Sequence, residues 1–226
     1  NPSAPCNLPF QETPDYLDWD RWLGPAPLRS YHNIIVEKDW FPNWRWYREF
    51  GGGILSDWGA HMFDIVQWAL GMDHTGPIKY EAPMEPTASR GLMMYYDNGI
   101  EVEHRNFGRG FAVRFFGSKG TLDISRSFFE IKPKELMNIK LKPTDIKLYI
   151  SESHENDWIT SAKKGTKPIC DVEVGHRTAT VCHIANLAYE YRRPLNWDPI
   201  KEEFIDDFEA NLRRSKRYRK PYELIL

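Results

Sequence analysis

Cysteine is scarce in this chain. Cys6, Cys170 and Cys182 are scattered and odd in number, and none stands in a CxxC or CxxH spacing. That argues against a disulfide framework and against a structural zinc site. Long apolar runs are lacking too: none approaches the ~18 residues of a membrane span. Neither sign of charge is in surplus, with 30 Lys and Arg against 32 Asp and Glu and a net charge of −2. Nothing in that balance points to nucleic acid. Basic residues crowd only at Arg213, Arg214, Lys216, Arg217, Arg219 and Lys220, which reads as a solvated tail. The first residues, Asn1 to Phe10, lack the basic start and apolar centre of a signal peptide, and there is no initiator Met. We read that start as a processing boundary. It leaves localisation open between cytoplasm and periplasm.

A dinucleotide fingerprint is absent as well. Gly51-Gly52-Gly53 and Gly108-Arg109-Gly110 lack the third glycine at the right offset and the strand–turn–helix around it.

Aromatic residues are abundant. Phe, Trp and Tyr make up 14% of the 226 residues, and seven of the nine Trp precede residue 70: Trp19, Trp22, Trp40, Trp44, Trp46, Trp58 and Trp68. Such side chains fill cores and interfaces, and they also pack on the C–H faces of sugar rings.

Residues 1–50, rich in Pro and aromatics, read as an extended arm with short turns, with a short helix over 18–23 stopped by Gly24-Pro25. Residues 51–226 read as one α+β domain. After the glycine turn the spacing predicts one helix over 54–70, with Ser56 or Asp57 capping its first turn. Trp58, Met62, Ile65, Val66 and Ala69 form its apolar stripe, and Gly71 stops it. Residues 76–150 read as a mainly antiparallel sheet. Asp97-Asn98-Gly99 and Ser118-Lys119-Gly120 serve as hairpin turns, and 146–150 supplies a last strand. Helices follow over 155–164, 174–191 and 205–213. The helices at 54–70 and 174–191 are expected on one face of the sheet, leaving a partly apolar opposite face.

On the 54–70 helix, Asp57, His61, Asp64 and Trp68 recur at i, i+4, i+7 and i+11 and fall within a narrow stripe beside the apolar one. A carboxylate one turn from an imidazole can orient it and stabilise its cation, which suits general acid–base work. The same spacing also fits a capping Asp57 with a structural His61. A metal set of Asp57, His61 and Asp64 is the least favoured, since one helix rarely presents three ligands at workable angles.

The run Gly51-Gly52-Gly53-Ile54-Leu55-Ser56-Asp57-Trp58-Gly59-Ala60-His61-Met62-Phe63-Asp64 resembles a motif of the Gfo/Idh/MocA oxidoreductases, a Gly-rich turn followed by Asp–xxx–His. Trp19 to Pro27, Trp44-Arg45-Trp46 and Asp171 to Thr178 resemble a bacterial subgroup of that family common in polysaccharide degraders. Phe116 to Leu122 looks like its sheet hairpin. The resemblance covers nearly the whole chain and implies the family's substrate-side, C-terminal α+β domain, an open antiparallel sheet with helices on one face. It implies NAD- or NADP-dependent chemistry at a sugar or cyclitol hydroxyl, with His61 as acid–base and Asp57 assisting. Arg45, Trp46, Asp64 and His176 would shape the substrate pocket, and copies would associate through the sheet.

The family's Rossmann domain, its Glu–Lys–Pro motif and the opening strand and helix of its second domain are not in this sequence. The chain therefore reads as a piece of a longer enzyme that binds no cofactor by itself. A related NAD-dependent glycosidase and a non-catalytic sugar-binding or oligomerisation module are the alternatives.

Overall fold

The computed structural model describes residues 1–37, 42–140, 142–146 and 148–223, so Trp40 and Lys147 lie outside the described residues. The first fifty residues are less extended than their composition suggests. They hold α1 (Trp19–Leu23), α2 (Asn33–Val36) and a 3-10 helix over Asn43–Trp46. Asp18 caps α1 by accepting the Arg21 N–H, and Gly24, at φ +52°, ends it. Trp19 stacks on Trp22 at 4.8 Å, with Tyr31 edge-on to Trp19 and Phe50 edge-on to Trp22. Cys6, Leu23, Tyr31 and Ile35 are buried beside them.

The glycine turn leads into α3 (Gly53–Ser56) and α4 (Trp58–Leu70). These are two helices where the periodicity predicts one. The break is at Asp57, whose ψ of −82° is well off the helical value. Neither expected cap forms: Asp57 makes no side-chain cap bond, and Ser56 Oγ accepts from Asn186 instead. Gly71 closes α4 in the left-handed conformation, as its position predicts. The buried face of α4 is Met62, Phe63, Val66 and Gln67, while Ala69 is exposed. An apolarity count misses Gln67. Its amide is buried because it donates to the carbonyls of Met72 and Thr75 at 3.0 and 2.9 Å and accepts the Tyr96 hydroxyl at 2.5 Å.

Strands β1 (Lys79–Glu81), β2 (Leu92–Tyr95) and β3 (Glu101–His104) pair antiparallel through the expected Asp97-Asn98-Gly99 turn. Strands β4 (Val113–Gly117), β5 (Gly120–Ile124) and β6 (Phe129–Lys132) form a second, separate antiparallel sheet. No strand forms over 146–150 among the described residues. After α5 (His154–Lys164) and α6 (Val172–Tyr191) come β7 (Leu195–Asp198), β8 (Glu203–Phe204) and α7 (Phe208–Asn211). The main sheet runs β3-β2-β1-β7-β8. β7 was illegible because Pro194 and Pro199 bracket only two inward side chains, Leu195 and Trp197.

One face of the main sheet carries Tyr80, Leu92, Met94, Leu195 and Trp197. It packs against Phe63 of α4 and against Val181, Cys182, Ile184, Ala185, Ala188 and Tyr189 of α6. The fold is thus α+β with helices on one face of the sheet. The opposite face is more charged than expected: Lys79 pairs with Glu81, and Glu101 and Glu103 are exposed beside Met93 and Tyr95. No helix among the described residues is long and apolar enough to cross a membrane.

The basic run near the C-terminus is exposed to solvent as charge suggests, apart from half-buried Arg219, and it also clasps the body of the fold. Arg213 pairs with Glu190, Lys216 Nζ donates to the Arg48 carbonyl at 2.7 Å, and Arg219 pairs with Asp20 at 2.7 Å. These cations find a turn carbonyl at Arg48 and carboxylates on α1 and α6, which a count of charges along the sequence does not show.

His104 at the end of β3 meets the Tyr189 hydroxyl at 2.8 Å, and that hydroxyl also accepts the Leu92 N–H at 3.2 Å. Burial, with help from Arg90, holds the imidazole neutral by lowering its pKa from 6.5 to about 3. The unfolded chain takes up this proton at higher pH, so the contribution is complete above pH 6.5 and drains away toward pH 3. Chemical denaturation between pH 7 and 5, above the carboxylate range, is expected to show stability falling with pH. His104→Gln is expected to flatten that slope; an unchanged slope would place the proton uptake elsewhere.

Candidate functional site

The candidate site is built on contacts that only glycine permits. A Cβ on Gly51 would stand 2.6 Å from the Arg45 carbonyl oxygen and 2.9 Å from Arg45 Cα, so the 3-10 helix lies directly on the turn. Gly53 has φ +65°, and a Cβ there would meet the backbone of Asn1, Pro2 and Ser3 at 2.8 Å. The N-terminal segment lies over the turn, with the Ala4 N–H donating to the Trp46 carbonyl and the Arg48 N–H to the Ala4 carbonyl, both at 2.9 Å.

Asn186 of α6 fixes this arrangement. Its Nδ2 donates to the Gly52 carbonyl at 2.9 Å and to Ser56 Oγ at 2.8 Å, and its Oδ1 accepts the Ser3 N–H at 2.8 Å. One amide thus joins the glycine turn, α3, the N-terminal segment and α6. Nothing in the sequence flags it, since a single Asn in a helix carries no motif.

On this scaffold Arg45 Nη1 donates to Asp57 Oδ2 in a charge-assisted pair. Asp57 makes no hydrogen bond to His61 among the described residues; the expected Asp–His pairing is replaced by Asp–Arg. His61, one turn into α4, is exposed. Its ring meets Trp58 edge-on at 5.5 Å. Trp58 stacks on Phe111 at 4.7 Å with planes 10° apart, and the Arg126 guanidinium lies 5.6 Å from its centroid. Phe111 and Arg126 come from the second sheet and its approach loop, too far along the chain for local spacing to associate them with His61. Together these groups present an exposed imidazole beside an aromatic wall and an ion pair. That combination can move a proton at a hydroxyl while an apolar ring face packs alongside.

Of the other expected residues, Trp46 stays beside Arg45, while Asp64 and His176 make their bonds elsewhere. Trp46 ends the 3-10 helix next to Arg45 and contributes its carbonyl to the N-terminal bridge. Asp64 accepts the hydroxyl of buried Thr178 at 3.0 Å, in the seam between α4 and α6. His176 reaches Glu202 at 2.5 Å, in the turn between β7 and β8, where Arg177 also pairs with Glu202 at 3.0 Å. No hydrogen bond or ion pair among the described residues joins Asp64 or His176 to His61. The break at Asp57 takes that residue alone off the stripe expected over 57–68; His61, Asp64 and Trp68 all stay on α4. The metal set weighed from that stripe is likewise not gathered: no group of three His, Cys, Asp or Glu among the described residues stands ready to hold an ion.

Replacing Asn186 by Ala leaves the Gly52 carbonyl, Ser56 and the Ser3 N–H without their partner. Unpaired buried groups cost about 1–3 kcal/mol each where water cannot reach them. Asn186→Ala is expected to lower stability by about 2–4 kcal/mol in urea denaturation and to loosen the glycine turn. A change below about 0.5 kcal/mol, the usual range of an inert surface site, would show that the amide is dispensable.

No curated protein matches the chain. A family profile does: that of the Gfo/Idh/MocA oxidoreductases, described as the oxidoreductase family's C-terminal alpha/beta domain, matches residues 3–224. The match runs over the arm, the glycine turn, both sheets and the C-terminal clasp alike, and the α+β fold agrees with it. The chain belongs to the Gfo/Idh/MocA oxidoreductase family, as its C-terminal domain.

Proposed function

We propose that this chain is the substrate-side domain of an NAD(P)-dependent oxidoreductase acting on a hydroxyl of a sugar or cyclitol. The observation that carries the proposal is the placement of His61. It is exposed, it has no hydrogen-bond partner among the described residues, and it lies one turn from the Asp57–Arg45 pair and against Trp58. In this reading His61 takes or returns the proton of the reacting hydroxyl. Trp58 and Phe111 pack on the C–H face of the ring. Asp57, held by Arg45, keeps a fixed charge near the imidazole without bonding to it. Trp46 shapes the wall beside Arg45.

The glycine turn lends no support to a dinucleotide site on this chain. The Gly51–Gly53 turn has no concavity for a diphosphate: Arg45, Ser56 and residues 1–3 already fill the space over its α-carbons. The helix after it, α3, is four residues long. No step through the cofactor is therefore derived from this chain, and its cofactor is proposed from family membership alone. Calorimetry with the chain by itself is expected to show no NAD or NADP binding at up to millimolar cofactor; tight binding would reveal a nucleotide site of different design.

The acid–base role is tested in the complete enzyme. A positioned general base is worth typically 10²–10⁴-fold in rate, so His61→Ala is expected to lower kcat by about that factor with cofactor affinity unchanged. Asp57→Asn is expected to cost less and to move the pH profile, because it removes a nearby charge without touching the imidazole. Near-normal turnover of His61→Ala would remove the catalytic assignment and favour a binding module.

A further inference from the structure

Three arginines around the second sheet lie over aromatic rings. Arg109 stands 4.4 Å from the Phe128 centroid, Arg114 4.8 Å from that of Phe107, and Arg126 5.6 Å from that of Trp58. Two of the three have carboxylates. Arg114 grips Asp123 through two hydrogen bonds of 2.6 Å, and Arg109 pairs with Glu130 at 2.7 Å. Arg126 has none. No hydrogen bond or ion pair reaches its exposed guanidinium among the described residues.

The backbone fixes where Arg126 stands. It lies in the turn between β5 and β6, which the Ser125 N–H closes by donating to the Phe128 carbonyl at 3.0 Å. The Ser127 N–H braces the same turn by donating to Ser125 Oγ at 3.1 Å. Asp57, the carboxylate of the candidate site, is already taken by Arg45. The site therefore holds a permanent positive charge that no acidic side chain balances.

A lone surface arginine is ordinarily just solvated. The ring beneath Arg126 sets it apart, because Trp58 is also the ring that His61 meets edge-on at 5.5 Å. Imidazole and guanidinium thus stand no more than about 11 Å apart, the two distances laid end to end. One hexose, with a hydrogen bond of about 2.8 Å at each end, covers that gap. A carboxylate carries a single charge and takes two parallel N–H bonds from a guanidinium. A phosphate ester carries about −1.5 to −2 and would leave negative charge uncompensated against one arginine.

We infer that the substrate presented to His61 is a sugar acid, and that Arg126 binds its carboxylate while the ring packs along Trp58 and Phe111. The inference rests on the acid–base reading of His61 for the reacting end of the substrate and adds the opposite end. Arg126 is in this respect a specificity residue; it moves no proton.

Turnover by the complete enzyme of glucuronate and galacturonate, compared with glucose, galactose and the phosphate ester of glucose, tests this. The acids are expected to show the higher kcat/KM. A hydrogen-bonded contact between charged groups is worth roughly 10–100-fold, so Arg126→Gln is expected to shrink the preference for acid over neutral hexose by about that factor, mainly through KM. Arg126→Lys is expected to keep part of the preference, since it keeps the charge and loses the fork. Calorimetry on the chain itself supplies a readout free of turnover: the acids are expected to bind more tightly than the hexoses, in His61→Ala as in the wild type. Acids and neutral hexoses used and bound alike, or a preference untouched by Arg126→Gln, would overturn the inference and leave the role of His61 standing. A preference for the phosphate ester would overturn it in favour of a doubly charged substrate. Normal turnover by His61→Ala with the acid preference intact would remove the acid–base reading and support the carboxylate contact.

Discussion

The arrangement around the glycine turn depends on one side-chain amide. Asn186 is the point at which α6, the Gly51–Gly53 turn, α3 and the N-terminal segment meet, through hydrogen bonds of 2.8 to 2.9 Å. The turn cannot hold itself, because glycine backbone is the most conformationally free there is. The turn needs glycine because the Arg45 backbone and residues 1–3 press on it. Freedom needed for close approach is thus removed again by an external clamp. The position of Arg45, and through it the Asp57 carboxylate, follows from that clamp.

The break at Asp57 has a related origin. A continuous helix over 54–70 would carry the Asp57 carboxylate along the same face as His61. In the fold, the carboxylate is drawn toward Arg45, and the backbone leaves helical geometry there. His61 keeps its ring exposed as a result, with Trp58 as its neighbour. The candidate site therefore combines one exposed imidazole with a charge pair already satisfied. That division separates proton handling from charge placement.

Much of the fold was legible in the sequence because it depends on local rules. The hairpin turns at 97–99 and 118–120, the stop at Gly71 and the buried side of α6 at Val181, Ile184, Ala185 and Ala188 all follow from turn chemistry and periodicity. What was not legible depends on partners distant in sequence. Gln67 is a buried and Asn186 a half-buried polar residue, each held in place by its hydrogen bonds. β7 has too few inward side chains to declare itself. The separation of β4–β6 from the main sheet depends on β1 pairing with a strand more than a hundred residues later. At the site, the spacing of Asp57 and His61 was visible, but not that Asp57 would choose Arg45, or that Phe111 and Arg126 would arrive from the second sheet. Asp64 and His176 match the motif as letters. Thr178 and Glu202 decide what they do here.

The clasp near the C-terminus has a consequence for the order of events in folding. Arg219 reaches the Asp20 carbonyl across 199 residues, and Ser3 reaches Asn186 across 183. Contacts so far apart in sequence close the largest loops in the chain and are slow to form. On the ribosome the 3-10 helix, the glycine turn and α4 emerge long before α6, and α6 before Arg219. The hairpins can zip as they appear, whereas the surroundings of His61 must wait for Asn186. The part of the molecule nearest the proposed chemistry is therefore assembled late, and an interrupted chain would hold formed hairpins around an unformed site.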